Sequence, residues 1–403
     1  MQVCISAFTC LLTAFSLHIA NLFIFESPFA IGDGMKRLTL AEASAMLIGT
    51  QIGAGVLGLP YALKDAGILG IVVVIMTGLM TLLTALFVLE VASKSPGKSI
   101  SKLTEEHLGK AGEVLMFLSI GFIAYGALIA YIAGSAQIIS SLFGIRTEIA
   151  AIVFWAIMSL IVYMGLKVSG EAELALTGIL LAVLALSVGL IIGRIDGRNL
   201  TQIDYSAALR GVGVAMFAYV AHMLIPELLR GLEDVKTTAK AVFIGFLVPM
   251  VFYALFVLSF VGAFGPNTPE LATSALERLY GNLGRILGLI LPLVAIGTSY
   301  IGLTLSEMGN IKEVLKIKKV YAWMLTVFPP LLVYFLGLNS FVNALWLAGT
   351  FGGIIYAGIL PTAMYLKAKG KHDSFHFGVP HSVAYFSGLV FLMLFLYSIV
   401  SLA

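Results

Sequence analysis

His222 is the one ionisable residue near the middle of a long apolar run, Val214-Ala-Met-Phe-Ala-Tyr-Val-Ala-His-Met-Leu-Ile-Pro226. An ionisable group at membrane depth is costly and marks function by default, and imidazole changes charge near physiological pH. Two roles stay open for it: a proton-coupling group, or a neutral imidazole bonded to backbone bared by a break. Glu227, beside Pro226, and Glu42, early in the first apolar run, are expected to pair with Lys or Arg as gate elements near one membrane face. Glu90 and Glu307 fall near helix ends, where a solvated role is enough. Catalysis would want clustered His, Asp, Glu or Cys. The six histidines are scattered, and His372, His376 and His381 share a loop that supports only a weak metal reading. Cys4 and Cys10 are the only cysteines, so neither a disulfide framework nor a thiolate metal site is supported. The chain is read as a non-enzyme with no cofactor beyond a coupling ion.

The second chemical feature is backbone. Gly49-Thr-Gln-Ile-Gly-Ala-Gly-Val-Leu-Gly-Leu-Pro60 lies inside an apolar run from about Leu38 to Leu63. Lipid offers no hydrogen bonds, so unwound backbone at this depth survives only within protein or along a cavity. Gly49, Gly53, Gly55 and Gly58 weaken the helix, and Pro60 removes a donor and disfavours helical geometry at Leu59. Close helix packing through small residues is the alternative; four glycines and a proline in twelve residues exceed what packing needs. A break here gives Gly53, Ala54, Gly55 and Val56 as a cradle of N–H groups at a positive helix end, suited to a carboxylate. Around Pro226 the chain offers the carbonyls of Phe217, Ala218 and Tyr219, suited to an ammonium. A simple proline kink is the competing reading there. Together the two breaks suit a zwitterion. A bulky residue at Gly55 is expected to abolish function, whereas one at Gly78, in a regular span, is expected to do much less.

What must position these groups is a membrane bundle. Hydrophobic residues make up 60% of the chain, charged residues 11%, and mean hydropathy is strongly positive. This composition excludes a soluble domain of ordinary kind, and the net charge of +3 argues for no nucleic-acid partner. Eleven apolar segments follow one another at about 38–63, 67–92, 112–143, 148–166, 171–193, 207–230, 238–264, 284–308, 319–338, 340–366 and 382–402. Seventeen of the 24 Lys and Arg fall on the side of Lys36 and Arg37, which places that side in the cytoplasm and the C-terminus outside. Residues 1–34 are apolar but lack a basic start, so they read as an upstream extension or a peripheral helix. Protein starting at Met35 is expected to insert and function. The outer stretch from Gly265 to Gly284 has helix formers and reads as a solvated connector, with a lid as the alternative. The first span runs outward and the sixth inward, with five segments opening at each. Breaks at matching places in two inverted halves point to a secondary transporter.

Ile48-Gly-Thr-Gln-Ile-Gly-Ala-Gly-Val-Leu-Gly-Leu-Pro-Tyr-Ala62 resembles the first-helix signature of the amino acid/auxin permeases, in the amino acid–polyamine–organocation superfamily. Ala130-Tyr-Ile-Ala-Gly-Ser135, Ile244-Gly-Phe-Leu-Val-Pro-Met250 and Ala295-Ile-Gly-Thr-Ser-Tyr-Ile-Gly-Leu-Thr304 resemble the tyrosine and tryptophan permease branch. Phe217-Ala-Tyr-Val-Ala-His222 is closer to the eukaryotic-type neutral amino acid carriers. The resemblance covers residues 36–403. It implies an all-α leucine-transporter-type fold: two inverted repeats of five helices, about 38–193 and 207–366, and an eleventh span at 382–402. It also implies a side-chain pocket at Tyr131, Gly134 and Ser135. Sodium-driven relatives imply an ion site of the Gly49, Ile52 and Ala295 carbonyls with the Thr298 and Ser299 hydroxyls. The branch itself is proton-driven, which favours protons over sodium here; the span-five lysine of some proton-driven relatives has no counterpart between Leu174 and Gly193.

The reading is an ion-coupled symporter of a neutral, aromatic amino acid in the plasma membrane, working by alternating access. A channel would need a recurring polar lining, which the spans lack. A sensor, or a facilitator or exchanger, on the same fold is the alternative.

Overall fold

A computed structural model describes residues 38–53, 55–164, 170–369 and 378–401. The extension 1–34, Ala54 of the predicted cradle, and His372 and His376 lie outside the described residues.

The first apolar run folds as two helices. Helix α1 (Leu40–Gln51) starts at a capping box: the Glu42 N–H donates to the Thr39 hydroxyl, and the Thr39 N–H donates to the Glu42 carboxylate at 2.8 Å. Glu42 thus helps to satisfy the first turn. Helix α1 stops where Ile52 leaves helical geometry (φ −80°, ψ 65°), and α2 (Gly55–Ala62) resumes at a 50° bend. Pro60 lies well inside α2, so Leu59 stays helical and the break belongs to the glycines rather than the proline.

Helices α3 (Ile68–Lys94), α4 (Ile100–Phe143, bent at Gly109), α5 (Thr147–Tyr163), α6 (Gly170–Ile191) and a short α7 (Gly197–Thr201) complete the first half. In the second half, α8 (Tyr205–Ala218) and α9 (Ile225–Leu232) again form one run broken in two, joined by a short turn at His222–Leu224. Here Pro226 does sit at the break, in the first turn of α9, where its missing N–H costs nothing. Helices α10 (Val235–Phe264), α11 (Ala275–Arg285), α12 (Leu291–Leu315) and α13 (Lys319–Phe335) follow. The next run is α14 (Phe341–Leu347), a π-helical stretch over Ala348–Ile359, and α15 (Leu360–Lys369); α16 (His381–Val400) ends the bundle.

Among the described residues, seven helical stretches are long and apolar enough to cross a membrane, and the bent pair α1–α2 makes eight. Three of the eleven expected segments appear as shorter apolar helices, at Thr147–Tyr163, Leu181–Arg194 and Lys319–Phe335. The chain is an integral, multi-pass, all-helical membrane protein.

Three expectations change. The outer stretch after Gly265 is no solvated connector: Leu271, Ala272, Ala275 and Leu276 are buried. Its Glu270 accepts from the Gln137 amide of α4, the Ser340 hydroxyl and the Val342 N–H at the start of α14, so one carboxylate pins the cap to two helices. Glu90 and Glu307 are buried, at 1% and 2% exposure, rather than solvated as their places near helix ends predict. Gly78 is no neutral position either. A Cβ there would stand 2.9 Å from the Tyr219 phenol and 3.0 Å from the Met250 sulfur. Gly78→Leu is therefore expected to displace Tyr219 and to lower uptake several-fold, measured per inserted protein in vesicles; parental uptake would show that Tyr219 can move freely.

Candidate functional site

The two breaks face each other. A Cβ on Gly55 would meet the Phe217 ring at 2.9 Å, so the start of α2 and the end of α8 are in contact only because residue 55 is glycine. A Cβ on Gly53 would stand 3.0 Å from the Ser299 hydroxyl of α12. Gly53 closes a tight turn, its N–H donating to the Gln51 carbonyl at 2.9 Å. Val56, Phe217, Ala218 and Tyr219 are all buried.

Helix α4 forms another wall. Tyr131 is buried and its phenol interacts with the Ser299 hydroxyl. Ser135, one turn on, is fully buried, and its hydroxyl has no partner among the described residues. Gly134 allows Phe341 to close in, since a Cβ there would lie 2.9 Å from that ring. A narrow, apolar crevice opens beside the break, lined by Ile52, Gly53 and Val56, Leu184 of α6, and Pro292 and Ala295 of α12. Of the residues expected to hold sodium, Ile52, Ala295 and Ser299 are thus close to the break. The Thr298 hydroxyl donates to the Ala295 carbonyl at 3.0 Å, and Gly49 lies one turn earlier on α1.

Sequence reasoning missed the group that ties the breaks together. The Tyr253 hydroxyl of α10 lies 2.5 Å from the Gln51 carbonyl and 3.2 Å from the Ala218 carbonyl. These carbonyls end α1 and α8, where each helix carries its negative pole. Tyr253 is fully buried and packs against the Tyr219 ring at 5.2 Å. Nothing in its local sequence separates it from the other fourteen tyrosines. Gln51 adds a second tie, its amide donating to the Gly245 carbonyl of α10 at 2.8 Å. The Tyr219 hydroxyl donates to the Val74 carbonyl of α3 at 3.1 Å.

His222 is fully buried, but its ring packs against Phe246 and Tyr356, with Nε2 3.0 Å from the Thr84 hydroxyl. None of these is a residue expected at the substrate site. The Nδ1 atom of the same ring is buried and has no hydrogen-bond partner among the described residues. The exposed backbone of the break finds another partner: the Met223 N–H donates to the Tyr356 hydroxyl. Glu227 pairs with Arg230 on the same helix, near the point where the Leu38 N–H reaches the Gly231 carbonyl and closes α1 on α9.

Two broken membrane helices, set end against end inside a helical bundle, are the arrangement of a transporter of small solutes. Comparison with known proteins narrows the class. The model of the tryptophan/tyrosine permease family matches residues 36–401, and the chain belongs to that family. The tyrosine-specific transport system 1 of Haemophilus influenzae is 26% identical over 363 residues, covering 84% of this chain and 90% of that protein. Glutamine transporter 2 of Aliivibrio fischeri is 24% identical over 362 residues, covering 84% and 92%. Among solved structures, that of MhsT in complex with L-phenylalanine superposes with a TM-score of 0.65 at 14% identity, covering 90% of this chain and 99% of that one. The protein is an amino acid permease, not an enzyme.

Proposed function

We propose that the protein is a proton-coupled symporter that brings a neutral, aromatic amino acid into the cell by alternating access. The observation that carries this reading is the contact between the two breaks. The N–H groups that open α2 meet the substrate carboxylate, and the carbonyls that close α8 meet its ammonium. The side chains around them, Phe217, Tyr131, Ser135, Ser299 and Phe341, carry no charge. A charged substrate side chain would find no counter-ion there and would be costly to bury. In this reading all eleven segments cross the plasma membrane as five plus five plus one, with the Met35 end in the cytoplasm. Relatives named for tyrosine and for glutamine both support a neutral cargo, and the ring-lined pocket favours the aromatic one.

Sodium is the second reading, favoured by Ser299 and Ala295 standing at the break of the first span. Purified protein in sealed vesicles separates the two. An inward proton gradient without sodium is expected to drive accumulation of labelled tyrosine or tryptophan, with glutamate and lysine excluded. Sodium-driven accumulation at equal pH, weakened by Thr298→Ala with Ser299→Ala and untouched by His222→Gln, would replace protons with sodium. Equilibration under both gradients would leave a facilitator or exchanger.

A further inference from the structure

Glu307 sits on α12 at 2% exposure, within a stretch apolar enough to cross the membrane. Among the described residues no Lys, Arg or His comes within ion-pair distance of it, and no charged group lies near enough to bias it. Its one side-chain partner is the Asn310 amide, which donates to Oε2 at 3.2 Å. Its other oxygen faces α4: a Cβ on Gly121 would stand 3.6 Å from Oε1, so the glycine leaves room for the carboxyl between the two helices.

The titratable groups on the packed elements are otherwise engaged. Tyr125 of α4 faces Glu307, but its hydroxyl donates to the Leu325 carbonyl of α13. Glu113, near the inner end of α4, is held by Lys102 and Lys110. On α13, Lys319 reaches the Tyr163 carbonyl, and on α5 the acid Glu148 lies in the outer first turn beside Arg146. A carboxylate in this position has no cation to offset the loss of water, whereas a carboxylic acid needs none.

We infer that Glu307 is the group that binds and releases the transported proton, between α4 and α12. This rests on the proton-symport reading above. The carboxylate takes up one proton to become a carboxylic acid, and the same O–H bond breaks when the proton leaves; no other atom changes hands. The residue before it reaches the sixth span. Ser306 touches Met223 at the turn of the sixth span, 3.8 Å from its sulfur, so movement of α9 against α12 would let water reach the neighbouring carboxyl. Charging Glu307 then favours the opened arrangement and protonation the closed one, which links the proton to the conformational cycle.

The test uses the full chain in proteoliposomes. For one proton per substrate, a pH gradient of one unit sustains about tenfold accumulation. Glu307→Gln is expected to bring accumulation down to simple equilibration while substrate-for-substrate exchange across the same vesicles persists. Glu307→Asp keeps an acid one carbon shorter; it is expected to retain accumulation and to shift the pH of half-maximal uptake. If the glutamine variant fails to insert, that shift decides alone. A parental protein that never accumulates substrate under a pH gradient overturns the symport reading and this assignment with it. A parental protein that accumulates, beside a glutamine variant that accumulates equally or an aspartate variant with an unshifted profile, overturns the role of Glu307 and leaves symport standing.

Discussion

Replacing Gly55 with leucine is expected to abolish amino acid uptake while leaving membrane insertion near the parental level. Even the first added carbon would stand 2.9 Å from the Phe217 ring, closer than such contacts normally fall. The ring cannot simply swing away, because Phe217 is itself buried where α8 ends against α2. Relief must come from separating the two breaks, and a displacement of about 1 Å in a binding constellation costs on the order of 100-fold in function. Overpacking of this kind costs about 1–3 kcal/mol of stability, which a bundle of this size can absorb. Gly55→Ala should show a smaller loss of the same sign. Uptake by the leucine variant equal to the parent, at equal protein per vesicle, would remove this junction from the substrate site.

The other large effect belongs to Tyr253. Tyr253→Phe deletes one oxygen and its hydrogen and leaves the shape of the core unchanged. The Gln51 carbonyl keeps the Gly53 N–H, but the Ala218 carbonyl loses the hydroxyl 3.2 Å away in a fully buried place. A buried acceptor left short of a donor costs about 1–3 kcal/mol. Two helix ends of the same sign also lose the group that sat between them. The expected result is a lower unfolding temperature together with an apparent substrate affinity weakened about tenfold or more. The same substitution at Tyr365, whose hydroxyl reaches the Val379 carbonyl far from the breaks, should spare affinity. A Tyr253→Phe protein that binds as the parent does would show that each break is held by its own span.

The sequence made the breaks legible and left their wiring hidden. Glycines at 53 and 55 and the proline at 226 announce where backbone is freed, because those residue types change local conformational cost whatever surrounds them. Pro60 misleads for the same reason: its fixed φ is also compatible with helical geometry, and it lies well inside α2, past the break. Tyr253, Glu270 and Glu307 belong to the other category. Each is placed by neighbours distant in sequence: Tyr253 bonds to Gln51, Glu270 to Gln137 and Val342, and Glu307 lies in the space that Gly121 leaves; no periodicity along the chain records such a pairing. Glu307 misleads by its place toward a helix end, where a carboxyl is normally wet; here it is buried, with α4 packed beside it. His222 was legible as a buried histidine, but the direction of its ring, toward Thr84 and Tyr356, follows from the geometry of the turn that carries it.

Helices α5 and α13 have 17 residues each, and each is about 26 Å long at the usual rise, against about 30 Å of hydrocarbon in an ordinary bilayer. They are also stapled side by side, the Trp155 indole donating to the Val327 carbonyl at 2.8 Å and the Trp323 indole to the Ser159 carbonyl at 3.0 Å. A lone short helix adapts by moving; a stapled pair presents its shortness to the lipid as a fixed flank. The bilayer must thin along that flank, at a cost of fractions of a kcal/mol per Å that grows with acyl-chain length. Lipid thickness thereby becomes a mechanical load on one side of the permease.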